Sequence, residues 1–205
     1  MRKNINTAKG RKISSTKWLE RQLNDPFVEK AKKFGYRSRA SFKLIEINDK
    51  FKIFERGQKV LDLGSAPGGW SQIIVKKVGE GNVDAVDLLN MEYIKGVNFI
   101  QGDFLSLGES LSKKYDVIVS DMAANTTGNK STDQIRTAEL VEQAFNFAIE
   151  NLKEDGCFIA KIFQSKEEQD LFGIIRKHFK TLKRFKPESS RKESVEIYFV
   201  GINKI

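Results

Sequence analysis

Five charged residues stand inside or at the ends of strand-like runs rich in apolar residues. Asp87 closes NVDAVDL, Asp103 closes VNFIQGD and Asp121 closes YDVIVSD, whereas Lys161 lies inside CFIAKIF and Glu196 inside SVEIYFV. One aspartate after a strand is usually a turn or helix-cap residue. Three at successive strand ends would gather carboxylates along one rim. Such a rim suits a ligand with hydroxyls, amines and positive charge. S-adenosylmethionine offers ribose hydroxyls for Asp87, an adenine amine for Asp103, and an ammonium and a sulfonium for the remaining acids.

A glycine turn accompanies these acids. In KVLDLGSAPGGWSQ (59–72) a strand breaks into Gly64, Pro67, Gly68 and Gly69 before Trp70 opens a helix. In open α/β sheets ligands bind beyond the carboxyl ends of the strands, and glycine lets main chain approach closely. The order G-x-x-P-G-G is not the dinucleotide fingerprint, and Pro67 lacks the N–H that a pyrophosphate cradle uses. A phosphate-binding loop of the GxxxxGK[ST] type is also missing from the sequence.

Methyl transfer from a sulfonium needs an aligned nucleophile more than an acid. The single histidine, His178, lies in a basic segment away from the acid-bearing strand ends, so two lysines are the better candidates. Lys161 stands in an apolar strand, where a charge is costly unless paired or deprotonated. Lys43 stands in the SFKL stretch of the basic N-terminal region. A purely structural Lys161–Glu196 salt bridge is one reading; a polar cluster that adds Asp121 and Lys43 is the other.

The elements that must hold these residues alternate. Strands are expected at 59–64, 82–88, 97–103, 115–121 and 157–163, then a closing pair at about 180–186 and 194–203 around a turn at 187–190. Helices are expected at 17–34, 39–54, 68–78, 132–152 (stopped by Gly156) and 166–179. Alternation implies right-handed crossovers and a mostly parallel sheet covered on both faces, with an antiparallel hairpin at one end. The 205 residues fit a single domain at 17–205, with 17–56 as a helical nucleic-acid-binding part, 57–205 as the core, and 1–16 as a basic mobile tail.

Charge is segregated along this chain. Residues 1–43 hold 13 Lys/Arg against three acids, a net of +10, and the other 162 residues net −1. Residues 176–192 form a second basic cluster. A polyanionic partner follows, nucleic acid rather than a membrane surface. No run approaches the roughly 18 apolar residues of a membrane span, and no apolar segment follows the basic start as in a secretory signal. One cysteine and one histidine cannot build a four-ligand zinc site, so no metal is expected, and the lone Cys157 fits a reducing, cytoplasmic setting.

Seven motifs, YRSRASFKL, DLGSAPGGWSQ, DLL, QGDF, SDMAAN, AKIFQ and SVEIYFVG, run in order within about residues 14–203, nearly the whole chain. Together they resemble the FtsJ/RrmJ family of ribose 2′-O-methyltransferases, especially its bacterial ribosomal-RNA members. The resemblance implies a Rossmann-like methyltransferase fold with seven strands and S-adenosylmethionine as cofactor. It implies a catalytic set of Lys43, Asp121, Lys161 and Glu196, and cofactor contacts at Gly68, Trp70, Asp87, Asp103 and Asp121. In this reading Asp121 and Glu196 both hold the Lys161 ammonium, while Lys43 and Arg39 steer phosphates. The implied acceptor is a uridine in large-subunit (23S) ribosomal RNA, within the assembled subunit and met by a monomer. Relatives acting on transfer RNA share the set, and an inactive assembly factor is a further alternative. Trp18, Phe34 and Tyr36 offer rings for base stacking. Ala124 stands where the family segment D-M-A-P-N carries proline, a change that removes no reactive group.

Overall fold

Seven runs rich in β-branched and aromatic residues become strands, and all join one sheet in the order β3-β2-β1-β4-β5-β7-β6. The computed structural model describes residues 13–107, 111 and 114–205. The strands are β1 (Val60–Leu63), β2 (Val83–Asp87), β3 (Val97–Gln101), β4 (Tyr115–Ser120), β5 (Leu152–Phe163), β6 (Phe179–Phe185) and β7 (Glu196–Lys204). The first five run parallel, and β7 pairs antiparallel with both β5 and β6. The expected seven-stranded, mostly parallel sheet with an antiparallel closing pair is therefore present.

Two-residue periodicity sorts the core into two layers. Leu61, Leu63, Ile118, Phe158, Ala160, Ile162, Ile197 and Phe199 pack toward α5 (Lys130–Asn151) and α6 (Lys166–Ile175). Val60, Val117, Val119, Ile159, Tyr198 and Val200 pack toward α3 (Ala40–Phe51) and α4 (Gly69–Val78). Asp62, Lys161 and Glu196 alternate with the first set, so they belong to the α3/α4 side. Lys43 reaches that side from α3.

Three element boundaries differ from expectation. The stretch 17–34 is two helices, α1 (Ile13–Leu23) and α2 (Pro26–Phe34). Pro26 has no N–H for a helix interior, and Asp25 caps α2 by accepting from Phe27 N at 3.0 Å. Helix α1 thus begins inside the segment expected as a mobile tail; residues 1–12 and the Trp18 side chain lie outside the described residues. Helix α5 ends at Asn151, before Gly156, because Leu152 is already extended and pairs with Tyr115 across β4. His178 closes a 3₁₀ turn (Arg176–His178) and packs edge-on against Phe145 at 5.3 Å. It adjoins the Lys204 end of β7, opposite the Glu196 end. No helix among the described residues is long and apolar enough to cross a membrane.

Candidate active site

The carboxyl ends of β1, β2 and β4 open onto a cavity of about 620 Å³, lined by Gly64, Asp87, Asp103, Met122, Asn125 and Arg136 among others. A recess of about 180 Å³ also borders Gly64 and reaches Asp62, Ser65, Trp70 and Asp121. The predicted acids therefore do converge on one rim. A larger cavity of about 710 Å³ lies between the α1–α2 link and residues 188–193, away from the acid-bearing strand ends.

Asp87 is the hinge of this rim. Its Oδ2 accepts from Ala66 N at 2.8 Å and its Oδ1 from Leu89 N at 2.8 Å. A carboxylate has about four lone-pair sites, so both oxygens keep capacity for hydroxyl donors. Asp103 Oδ1 accepts from Leu105 N at 3.1 Å. The glycine turn is tighter than a ligand alone requires. Gly64 has φ +71°, and a Cβ there would sit 2.1 Å from Met122 Cγ; Gly68 has φ +102°, and its Cβ would meet Ile94, Met91 and Arg37 within 3.0 Å. Close approach at these two residues is by the protein's own side chains.

At the other side of the recess the four predicted catalytic residues come together as two pairs. Lys161 Nζ donates to Asp121 O at 2.5 Å and lies 3.2 Å from Asp121 Oδ1. Lys43 Nζ lies 2.6 Å from Glu196 Oε1. The expectation that Glu196 holds Lys161 is thus corrected. Glu196 is the register partner of Phe163, one pleat beyond Lys161, and α3 delivers Lys43 to it first. Ser190 Oγ donates to the same Glu196 Oε1 at 2.8 Å.

Tyr198 joins the pairs. Its ring lies 5.8 Å from Lys43 Nζ, and its hydroxyl donates to Asp121 Oδ1 at 2.7 Å. Burial and then the Asp121 charge push the phenol well above its usual value. Burial also works against an ionised Asp121, but the Lys161 and Lys43 ammoniums and the Tyr198 hydroxyl outweigh it and hold this carboxyl below the usual range. Trp70 supports this arrangement: its indole donates to Ala40 O at 2.9 Å and packs 5.7 Å from the Tyr198 ring.

Sequence reasoning passed over Tyr198 and Asp62. The i, i+2 spacing of Glu196 and Tyr198 in SVEIYFV was a usable signal, since it puts both on one face of the strand. Asp62 is an acid inside a fully buried strand, VLDL. Ser71 Oγ donates to it at 2.6 Å. Burial first, then the Asp121 and Asp87 charges, raise its carboxyl to about 7. Arg39, expected to steer phosphates, is turned inward onto Asp25 and the Ser189 carbonyl, with Arg191 on the same Asp25.

This geometry has relatives. The model of the FtsJ-like methyltransferases matches residues 36–204. The chain belongs to the FtsJ-like methyltransferase family. It is 49% identical to the ribosomal RNA large subunit methyltransferase E of Rickettsia rickettsii (strain Sheila Smith), over 98% of this chain and 93% of that one. Its counterpart in Rickettsia bellii is 50% identical over the same shares. A Plasmodium falciparum crystal structure assigned as a ribosomal RNA methyltransferase superposes with a TM-score of 0.73 at 30% identity, covering 82% of this chain and 98% of that chain. A Clostridium thermocellum structure, at 18% identity and TM-score 0.58 over 79% of this chain and 97% of that chain, is similar in fold alone.

Proposed function

We propose that this FtsJ-like methyltransferase uses S-adenosylmethionine to methylate the 2′-hydroxyl of a uridine in large-subunit (23S) ribosomal RNA, acting as a cytoplasmic monomer on the assembled subunit. The observation that carries the reading is the placement of the Lys161–Asp121 pair beside the cavity where acid-ended strands meet. The names of the Rickettsia relatives supply the ribosomal acceptor. A 2′-hydroxyl acceptor makes the substrate RNA and excludes DNA, in keeping with the +10 charge of residues 1–43.

The residues present fit the cofactor. Asp87 and Asp103 offer oxygens to ribose and adenine donors. The small recess presents Asp62 and Asp121 to positive charge, and its Ser65 hydroxyl is buried without a hydrogen-bond partner among the described residues. When bound, S-adenosylmethionine supplies an electrophilic methyl group on sulfur.

The chain's own residues do the rest. Lys161 Nζ is fixed by two oxygens of Asp121, which leaves its remaining valence for the ribose. We assign its neutral amine, once the ammonium proton has left to solvent, to orient the 2′-oxygen and take up its proton as the methyl carbon leaves sulfur and bonds to that oxygen. Asp121 holds Lys161 in place, and Tyr198 holds Asp121. Lys43, neutralised by Glu196, closes the acceptor side. Proton removal of this kind contributes roughly 10²–10⁴-fold, and in-line positioning adds to it.

Radiolabelled methyl transfer to undermodified large subunits, bare ribosomal RNA and bulk transfer RNA tests the reading. Label on the subunit at one alkali-resistant nucleotide, lost with Lys161→Ala, is the expected result. Label on transfer RNA alone would replace the acceptor, and no label on any of the three would overturn the proposal. For the role of Lys161, Lys161→Arg keeps a cation but removes the base; unchanged turnover would reduce the residue to orientation.

A further inference from the structure

Arg37 lies in the basic N-terminal part, where a free guanidinium would be an obvious phosphate ligand. Its donors point inward instead. Nη1 donates to Pro67 O at 3.0 Å and to Glu92 O at 2.7 Å, and Nη2 donates to Tyr93 O at 2.9 Å. Its own backbone N–H is held by Gln72 Oε1 at 2.9 Å, and Gln72 Nε2 donates back to Gly35 O at 3.2 Å. The Arg37 side chain is 19% exposed, whereas its carboxylate neighbour Glu92 is 93% exposed and 4.0 Å away. That ion pair is screened, so the carbonyls are what Arg37 serves.

Those carbonyls belong to two segments. Pro67 is in the glycine turn, and Glu92 and Tyr93 are in the loop after β2. The same two segments meet at their near ends through Asp87, which accepts from Ala66 N and Leu89 N. Between the two clamps Met91 and Ile94 pack against Gly68, with Met91 6% exposed. Ala66 and Pro67 line the small recess, and Asp87 to Leu89 line the large cavity. One clamp is inside the site and the other is outside it, supplied by a residue of the N-terminal part.

We propose that Arg37 is a positioning residue for the cofactor site, fixing its two loop walls against each other from the N-terminal segment. The inference rests on the cofactor reading above. A planar fork suits three carbonyls in two loops, which an ammonium matches poorly. Without the fork the loop after β2 is still tied to Gln101 and Gly81, but among the described residues it is held to the glycine turn only by the Asp87 clamp and the packing of Met91 and Ile94, and the walls separate before cofactor arrives.

The test uses the full-length protein with Arg37→Gln and Arg37→Lys. S-adenosylmethionine Kd is measured by calorimetry without RNA, alongside hydrogen exchange of residues 88–96 without cofactor. Expected are faster exchange confined to that loop and a Kd raised about tenfold in Arg37→Gln, within the usual range of coupling between parts of a site. Arg37→Lys should lie between it and the wild type, and KM for cofactor should rise by more than kcat falls. Unchanged Kd and exchange with weakened RNA binding would overturn the proposal and make Arg37 a phosphate ligand. If Arg37→Gln does not fold, Arg37→Lys is read by the same criteria. Failure of the wild type to bind S-adenosylmethionine would sink the cofactor reading, and unchanged loop exchange would separately sink the clamp.

Discussion

Tyr198 on β7 donates its hydroxyl to Asp121 at the end of β4, so the acid that holds Lys161 is itself held from a strand two places away in the sheet. Tyr198→Phe removes one donor from an ionised, partly buried carboxylate, a bond type worth about 1.5–3 kcal/mol. Turnover under single-turnover conditions should fall by roughly an order of magnitude or more. The Asp121 carboxyl loses a stabiliser of its charge, so the acid limb of the pH–rate profile should move upward. An unmoved limb with unchanged turnover would leave Tyr198 as a core residue only.

The Lys43–Glu196 pair is nearly buried, with side-chain exposures of 10% and 13%. Removing either partner strands a charge, which typically costs about 3–5 kcal/mol. Lys43→Met and Glu196→Gln should each lower the urea midpoint, and the double variant should lose less than the two losses combined. Additive losses would mean that the two residues do not act as a pair.

Asp62 makes stability fall as pH rises. Its folded carboxyl titrates near 7, raised mainly by burial, against about 3.9 in an unfolded chain. Between those values the folded state binds the extra proton, so stability declines from about pH 4 to pH 7 and then levels. Asp62→Asn keeps an acceptor for Ser71 and removes the titration. Thermal melts of the ligand-free proteins should show the variant gaining on the wild type from pH 5 to pH 8. Parallel melts at both pH values would contradict this assignment.

Gly64→Ala meets two penalties, a left-handed backbone and a Cβ 2.1 Å from Met122 Cγ. The backbone alone costs about 1–2 kcal/mol, and Met122 must also move in the loop after Asp121. A lower melting temperature together with weaker S-adenosylmethionine binding is expected. Ser65→Ala, the loss of one oxygen atom in the same recess, should spare the melt and lower only cofactor affinity.

Much of this was legible because it is local. Alternation in VNFIQGD and YDVIVSD marks strands, and acids at strand ends share a rim whatever the tertiary detail. What stayed hidden depends on neighbours that are far apart in sequence. The partner of Glu196 follows from the register of β7 on β5 and from where α3 crosses, neither of which the motif SVEIYFV encodes. Tyr198 reads as one more core aromatic until Asp121 is placed beneath its hydroxyl. The break at Asn24–Asp25–Pro26 was readable from Pro26 and its capping aspartate, but helical spacing on both sides masked it. Arg39 read as a phosphate-steering cation; only the fold shows that it serves a buried acid and a backbone carbonyl, and that its neighbour Arg37 serves three carbonyls.

Lys43 lies in the first quarter of the chain and Glu196 among its last ten residues. During synthesis, which proceeds from the N-terminus, helices α1–α3 and strands β1–β5 can form while Lys43 still lacks its counter-ion. Tyr198 and the Ser190 hydroxyl also arrive late. A polypeptide still being translated therefore lacks the counter-ion of Lys43, the Tyr198 donor to Asp121 and the strand that joins β6 to β5, so the paired centre closes only when β7 enters the sheet.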